Sequence, residues 1–164
     1  MRVRKPHVNA QREISLLAQW LSSLNPIYQQ KTHVKVGADP LLYAGIRLTP
    51  AQSRAFGVWS NWADARVVTP SEVWICEAKL VATGAAYGQL IDYLDEYPSG
   101  DDYRQFKPRQ IVGIVVCQAV TGRTERLFRK MGIRTIIFQP SFDLAQSLGK
   151  IFPGSQILET PQSA

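Results

Sequence analysis

Residues 61–80 constrain the fold more than any other stretch of this chain. They read Asn-Trp-Ala-Asp-Ala-Arg-Val-Val-Thr-Pro-Ser-Glu-Val-Trp-Ile-Cys-Glu-Ala-Lys-Leu, two β-rich runs about a Pro70-Ser71 turn signal. A symmetric antiparallel hairpin pairs Thr69 with Glu72, Val68 with Val73, Arg66 with Ile75 and Asp64 with Glu77. Directly opposed residues sit roughly 4.5–5.5 Å apart at Cβ, so two carboxylates are expected face to face. Side chains alternate along a strand, which puts Lys79 on the face of Glu77 and leaves Trp74, Cys76, Ala78 and Leu80 for a core. Opposed like charges cost on the order of 0.2–1 kcal/mol. A bound cation removes that cost, and hard divalent ions such as Mg²⁺ take carboxylate oxygens while keeping several waters. The stretch reads as a small metal site with a lysine beside it.

The rest of the chain supplies one domain's worth of elements. At 164 residues it is long enough to bury a core. A helix is expected from residue 9 or 10 to about 24, with Ile14, Leu17, Ala18, Leu21 and Leu24 at helical spacing and Asn25-Pro26 as its stop. Glu13 lies one turn in from its start. It favours the helix dipole there, or it is an accessory acid reaching the site. Residues 32–36 and 41–48 read as strands, and Thr49-Pro50 opens a short helix to about residue 56. His33 reads first as structural. After the hairpin, Thr83-Gly84 leads into a helix to about residue 97, with Tyr87, Leu90, Ile91 and Leu94 as its core stripe. Gln89 and Tyr93, four apart, share an adjacent face, either as a polar edge or as a pair lying against the site.

Residues 98–109 read as a polar loop in which Tyr103 interleaves with Arg104, Lys107 and Arg109, a pattern suited to phosphate contacts and base stacking. Residues 110–118 form a strand apolar on both faces, as in a covered sheet. Thr121 caps a helix to about Gly132 whose Arg123, Arg126 and Lys130 share one face, a phosphate-tracking or merely solvated surface. A strand over 133–138 and a helix over 141–151 complete the domain. Residues 1–9 read as a basic mobile arm, 10–152 as the domain and 153–164 as a frayed tail.

Charge points the same way. The chain carries a formal +6, and its first 35 residues hold Arg2, Arg4, Lys5, Arg12, Lys31 and Lys35 against Glu13 alone. A basic balance favours a polyanionic partner, nucleic acid before anionic membrane. Cys76 and Cys117 lie in apolar runs without metal-type spacing and read as buried thiols. No run approaches the ~18 apolar residues of a membrane span, and no apolar signal core follows the basic N-terminus. A cytoplasmic protein, in a bacterial or phage-infected cell, is expected.

In element order and in its acids, the chain resembles the PD-(D/E)XK, or restriction-endonuclease-like, nuclease superfamily. Asp64, then Glu77-Ala78-Lys79 thirteen residues on, carry the resemblance. Gln89 and Tyr93 add the Gln-x-x-x-Tyr helix motif of its RecB-like branch. Ala63 stands where the family often has proline. The resemblance implies an α/β fold with an αβββαβ core, a central mixed sheet flanked by helices. It implies a DNA nuclease hydrolysing phosphodiester bonds, of phage, mobile-element or repair type. Asp64, Glu77 and the Ala78 carbonyl would hold Mg²⁺ or Mn²⁺. Lys79 would act on the attacking water or the phosphate charge, Gln89 and Tyr93 would hold nucleophile or phosphate, and Glu13 would contact metal water. Arg104, Lys107, Arg109, Arg123, Arg126 and Lys130 would track DNA. A homodimer or a larger nucleoprotein or phage assembly is compatible with it. The alternative is a non-catalytic nucleic-acid-binding or phage assembly module on the same fold.

Overall fold

The structure is a computed structural model that describes residues 8–37, 49 and 61–141. The arm over 1–7, the strand and helix expected between 38 and 60, and the last helix and tail lie outside these residues.

Within them the chain runs helix, three strands, helix, strand, helix, strand. The first helix, α1, spans Val8–Ser23 and is followed by β1 (Gln29–Val36), β2 (Asn61–Val68) and β3 (Glu72–Ala82). Next come α2 (Gly84–Glu96), a 3₁₀ turn at Tyr97–Ser99 and the single-turn α3 (Asp101–Arg104). β4 (Gln110–Val120), α4 (Gly122–Lys130) and β5 (Arg134–Ile137) complete it. The strands form one five-stranded mixed sheet in the order β1-β2-β3-β4-β5. β1, β2 and β3 pair antiparallel, whereas β3–β4 and β4–β5 are parallel. Parallel neighbours need a crossover, and α2 and α4 provide the two. The fold is therefore α/β, a mixed sheet flanked by helices.

Two apolar layers sandwich the sheet. On one face α1 packs Leu16, Leu17, Trp20 and Leu21 onto Ala65, Val67, Cys76, Ala78, Val112, Ile114 and Val116. On the other, Ala86, Leu90 and Tyr93 of α2 and Phe128 of α4 pack onto Val34, Val36, Val73, Ile75, Val115 and Cys117. β4 is thus buried on both faces, which is why it is apolar at consecutive positions. Gly113 lets α2 approach it closely, since a Cβ there would stand 3.0 Å from Leu94 Cδ1. Both cysteines are buried free thiols. Among the described residues, no helix is long and apolar enough to cross a membrane.

The termini of the helices follow local chemistry. Thr83 Oγ1 accepts the Ala85 N–H to cap α2, and Thr121 Oγ1 accepts that of Thr124 to cap α4. After α1, Asn25 Oδ1 accepts the Ile27 N–H and the Asn25 carbonyl accepts that of Tyr28, turning the chain into β1.

Three expectations change. Ile14 is not in the α1 stripe; it is 65% exposed, and Leu16 is fully buried instead. The buried face runs through 13, 16, 17, 20, 21 and 24, one notch round from the 14-17-18-21 reading, so Glu13 belongs to the edge that meets the sheet. Residues 98–109 are not a plain polar loop. They contain the 3₁₀ turn and α3, and Tyr97 and Phe106 are buried in the α2-side core. Finally, β1 begins three residues earlier than expected, at Gln29.

Candidate active site

The β2–β3 hairpin has the expected register. Val68 pairs with Val73, Arg66 with Ile75 and Ala65 with Cys76. Thr69 N–H donates to the Glu72 carbonyl at 2.9 Å, and Thr69 Oγ1 accepts the Glu72 N–H at 3.0 Å, closing the turn. The ladder then stops one rung short of Asp64 and Glu77. Alternation fails at the same point. Ala65 and Val67 are buried on the α1 face, but Ala63 is buried on the α2 face. In β1, His33 has φ +52°, and the β1–β2 ladder skips from Thr32↔Ala65 to Val34↔Ala63. Both strands therefore kink at the His33–Asp64 level, and β2 leaves β3 there.

The kink changes how Asp64 meets β3. It does not sit as a flat cross-strand partner of Glu77. Its Oδ2 accepts the Ala78 N–H at 2.8 Å, in place of a strand carbonyl. The side chain is half-buried and fixed at the mouth of the opening between the two strands.

Glu77 is the centre of the site. It is 2% exposed. Lys79 Nζ donates to its Oε1 at 2.6 Å, which confirms that the two share a face. Its Oε2 is buried with no hydrogen-bond partner among the described residues. Burial pushes the Glu77 carboxyl up to about 7, and the Asp64 charge adds to that. The Lys79 hydrogen bond and charge pull it back, and Glu13 raises it further. Burial also works to lower Lys79, but its hydrogen bond to Glu77 and the charges of Glu77, Asp64 and Glu13 outweigh burial and raise it. Lys79 is thus a fixed cation, not a lysine depressed toward a base.

Two flanking helices complete the constellation. Glu13 of α1 reaches the sheet, its Oε1 accepting the Leu80 N–H at a long 3.4 Å. Tyr93 of α2 is buried with only 6% exposure, deeper than an adjacent polar edge would be. Its phenol is pushed up to about 12, by burial first and then by the charges of Glu77 and Asp64, with a hydrogen bond from Gln89 opposing. It stays protonated and can only donate to an anion in the site. Asp64, Glu77, Lys79, Gln89, Tyr93 and Glu13 are therefore brought into one electrostatic unit.

The chain matches no known family, curated protein or solved structure.

Among the described residues, no three His, Cys, Asp or Glu side chains are arranged to hold a metal by themselves. Mg²⁺ rarely asks for such a cage; one or two carboxylates with water suffice. The residues present fit that demand. Glu77 carries an oxygen without a partner among the described residues, and burial, then the Asp64 charge, raise its carboxyl to about 7.

The basic residues divide. Arg123, Arg126 and Lys130 on α4 are exposed, and Arg129 beside them bonds Glu125 at 3.1 Å. Arg104 is exposed and pairs with Asp101 at 3.2 Å. Arg109, by contrast, is half-buried; its Nε donates to the Thr69 and Pro70 carbonyls at 3.0 and 3.3 Å and staples the hairpin turn. Tyr103 is not presented for base stacking. Its ring lies 5.6 Å from that of Tyr97, its hydroxyl donates to the Arg109 carbonyl, and Lys107 Nζ sits 5.8 Å over it. The aromatic residues of this segment fold inward, Tyr97 and Phe106 into the α2-side core and Tyr103 against it.

Sequence reasoning passed over a second charged cluster. Arg66, 6% exposed, donates to Asp102 Oδ2 at 3.2 Å and lies over Phe106 at 4.4 Å. Tyr97 Oη donates to the same oxygen at 2.7 Å, and Lys31 Nζ meets Oδ1 at 3.2 Å. This network ties the 3₁₀ turn and α3 to β1 and β2. Its one signal was an arginine inside an otherwise apolar run, which requires a buried partner.

Proposed function

We propose that this chain is a Mg²⁺- or Mn²⁺-dependent deoxyribonuclease that hydrolyses phosphodiester bonds, a relative of the PD-(D/E)XK nucleases. One observation carries the reading. A buried glutamate with an unpartnered oxygen stands beside a second carboxylate and a fixed lysine, where two strands part. A purely structural carboxylate is expected to have both oxygens satisfied, because leaving a buried acceptor without a partner costs about 1–3 kcal/mol.

Asp64, Glu77 and the main-chain carbonyl at Ala78 would hold the ion. When bound, it polarises the scissile phosphate and acidifies a water for attack. The chain's own groups do the rest. Lys79, protonated, places positive charge against the non-bridging phosphate oxygens as negative charge grows there. Tyr93 donates its hydroxyl proton as a hydrogen bond, and Gln89 orients that phenol. Glu13, anchored on the Leu80 N–H, accepts from water at the rim. The exposed Arg123, Arg126 and Lys130 follow the DNA backbone, and Arg104 and Lys107 extend that track. Arg109 belongs to the turn instead.

The test is cleavage of a panel of labelled DNA structures with Mg²⁺, Mn²⁺ or EDTA, beside a Glu77→Ala control. Cutting that needs a divalent ion and Glu77 is expected. Glu77→Ala cutting at the wild-type rate overturns the assignment. Metal-independent binding without any cutting moves the reading to a DNA-binding or phage assembly module. Mg²⁺-induced thermal stabilisation of wild type, absent in Glu77→Ala, reads the ion site without relying on activity.

A further inference from the structure

The kink beside Asp64 exposes something that neither the acids nor the basic helix uses. His33 is the one non-glycine residue with positive φ among the described residues. Histidine tolerates this conformation better than a β-branched residue would. The turned-out imidazole lies flat on Trp62, with ring centroids 4.3 Å apart and planes within 7°. His33 is exposed, and Trp62 is half-buried beneath it. The stack is placed by the same break that fixes Asp64. His33 occupies the β1 position across from Asp64 in the register, and Trp62 precedes Asp64 by two residues on β2.

We infer that the His33–Trp62 stack is a platform for an unpaired base, and that the substrate is single-stranded DNA where it meets the site; this rests on the nuclease reading above. A flat aromatic pair ending in an exposed ring accepts the face of a nucleobase by continuing the stack, whatever the base. Inside a duplex those faces are already covered by neighbouring bases. Only a strand that is unpaired at this point, or at its end, can present one. Stacking there registers the strand on β1–β2 at the level of Asp64. The aromatic residue that the sequence offered for stacking, Tyr103, is folded inward, so His33 and Trp62 take over that role.

The experiment measures binding in EDTA, so that nothing is cut. Labelled oligo-dT of about 12 nucleotides and the matching blunt duplex are titrated with wild type, His33→Ala, Trp62→Ala and Trp62→Phe, read by fluorescence anisotropy. Wild type is expected to prefer the single strand. His33→Ala and Trp62→Ala each weaken that binding by about 5- to 100-fold and leave duplex binding unchanged. Trp62→Phe, which keeps a ring in the half-buried position, stays within a few-fold of wild type. His33→Ala acts at an exposed site, so its loss is not unfolding. Equal affinity for duplex and single strand, or single-strand binding indifferent to both alanine variants, overturns the platform. Cleavage in Mg²⁺ is read separately. Aromatic-dependent binding without cleavage upholds the platform and removes the nuclease reading. Cleavage with binding indifferent to His33 and Trp62 does the reverse.

Discussion

Replacing Glu77 with glutamine alters how the metal-free protein responds to pH, and the size of that change follows from the site. A carboxyl whose folded-state pKa lies above its unfolded one lends its full relative stability below the unfolded value. That stability is lost as pH rises through the folded value. For Glu77 the window runs from the ordinary 4.5 to about 7. At about 1.4 kcal/mol per pH unit, wild type should lose about 3 kcal/mol from this group between pH 4.5 and pH 8. A protein of this size moves about 2–4 °C per kcal/mol, so the loss is about 6–12 °C in melting temperature. Glu77→Gln cannot ionise and removes the trend. It also deprives Lys79 of a charged partner, but that attraction is already contained in the Glu77 pKa, and the variant's uncharged amide is the same at both pH values. The assay is a set of thermal melts of both proteins in EDTA across this range. Curves that run parallel from pH 4.5 to pH 8 would refute the picture of Glu77 as a buried acid short of a counter-charge. Adding Mg²⁺ at pH 8 should restore wild type and do nothing for the variant.

Other outcomes follow from the same geometry. Asp64→Ala leaves the Ala78 N–H without its acceptor and should cost about 1–3 kcal/mol in urea unfolding in EDTA. Asp64→Asn keeps an acceptor, removes charge beside Glu77 and should be as stable as wild type or more so. If both variants lose the same stability, the Asp64–Ala78 hydrogen bond is not what holds the carboxylate. Asp64→Ala, Glu77→Ala and Lys79→Ala should each abolish Mg²⁺-dependent cleavage, measured on the best substrate of the panel, with folding intact by circular dichroism. Asp102→Ala strands the buried Arg66 guanidinium and should cost about 3–5 kcal/mol; a loss near zero in denaturant would show that water takes the place of the carboxylate. Arg126→Gln and Lys130→Gln should each lower the salt dependence of DNA binding by about one phosphate contact, whereas Arg109→Gln should lower stability and leave that slope alone.

How far the chain could be read in advance depended on the distance over which each feature is decided. The Pro70-Ser71 turn and its register are local, and Thr69 and Glu72 close it with their own backbone and hydroxyl groups. The caps at Thr83 and Thr121 are equally local. So is the shared face of Glu77 and Lys79, since two residues apart on a strand is one face. The face that α1 buries was misread because Ile14 and Leu16 both fit a helical stripe. Which of them is buried depends on the sheet it docks against.

By itself, then, the sequence determined the hairpin, the extents of α1, α2 and α4 to within a residue or two, the covered central strand and the grouping of Glu77 with Lys79. Each follows from backbone periodicity, turn chemistry or capping between near neighbours. Only the tertiary structure decided the rest. Asp64 meets the Ala78 N–H instead of lying flat against Glu77, because β1 and β2 kink together and the pairing of β1 is set across a long gap in sequence. Glu13 reaches the site because α1 docks with one edge over β3, and Arg66 is neutralised by Asp102, 36 residues on, because the segment after α2 folds back over β2. Charge and aromaticity are written in the chain, but burial, which decides whether a carboxylate keeps its proton or an aromatic ring faces solvent, exists only once the layers have closed around them.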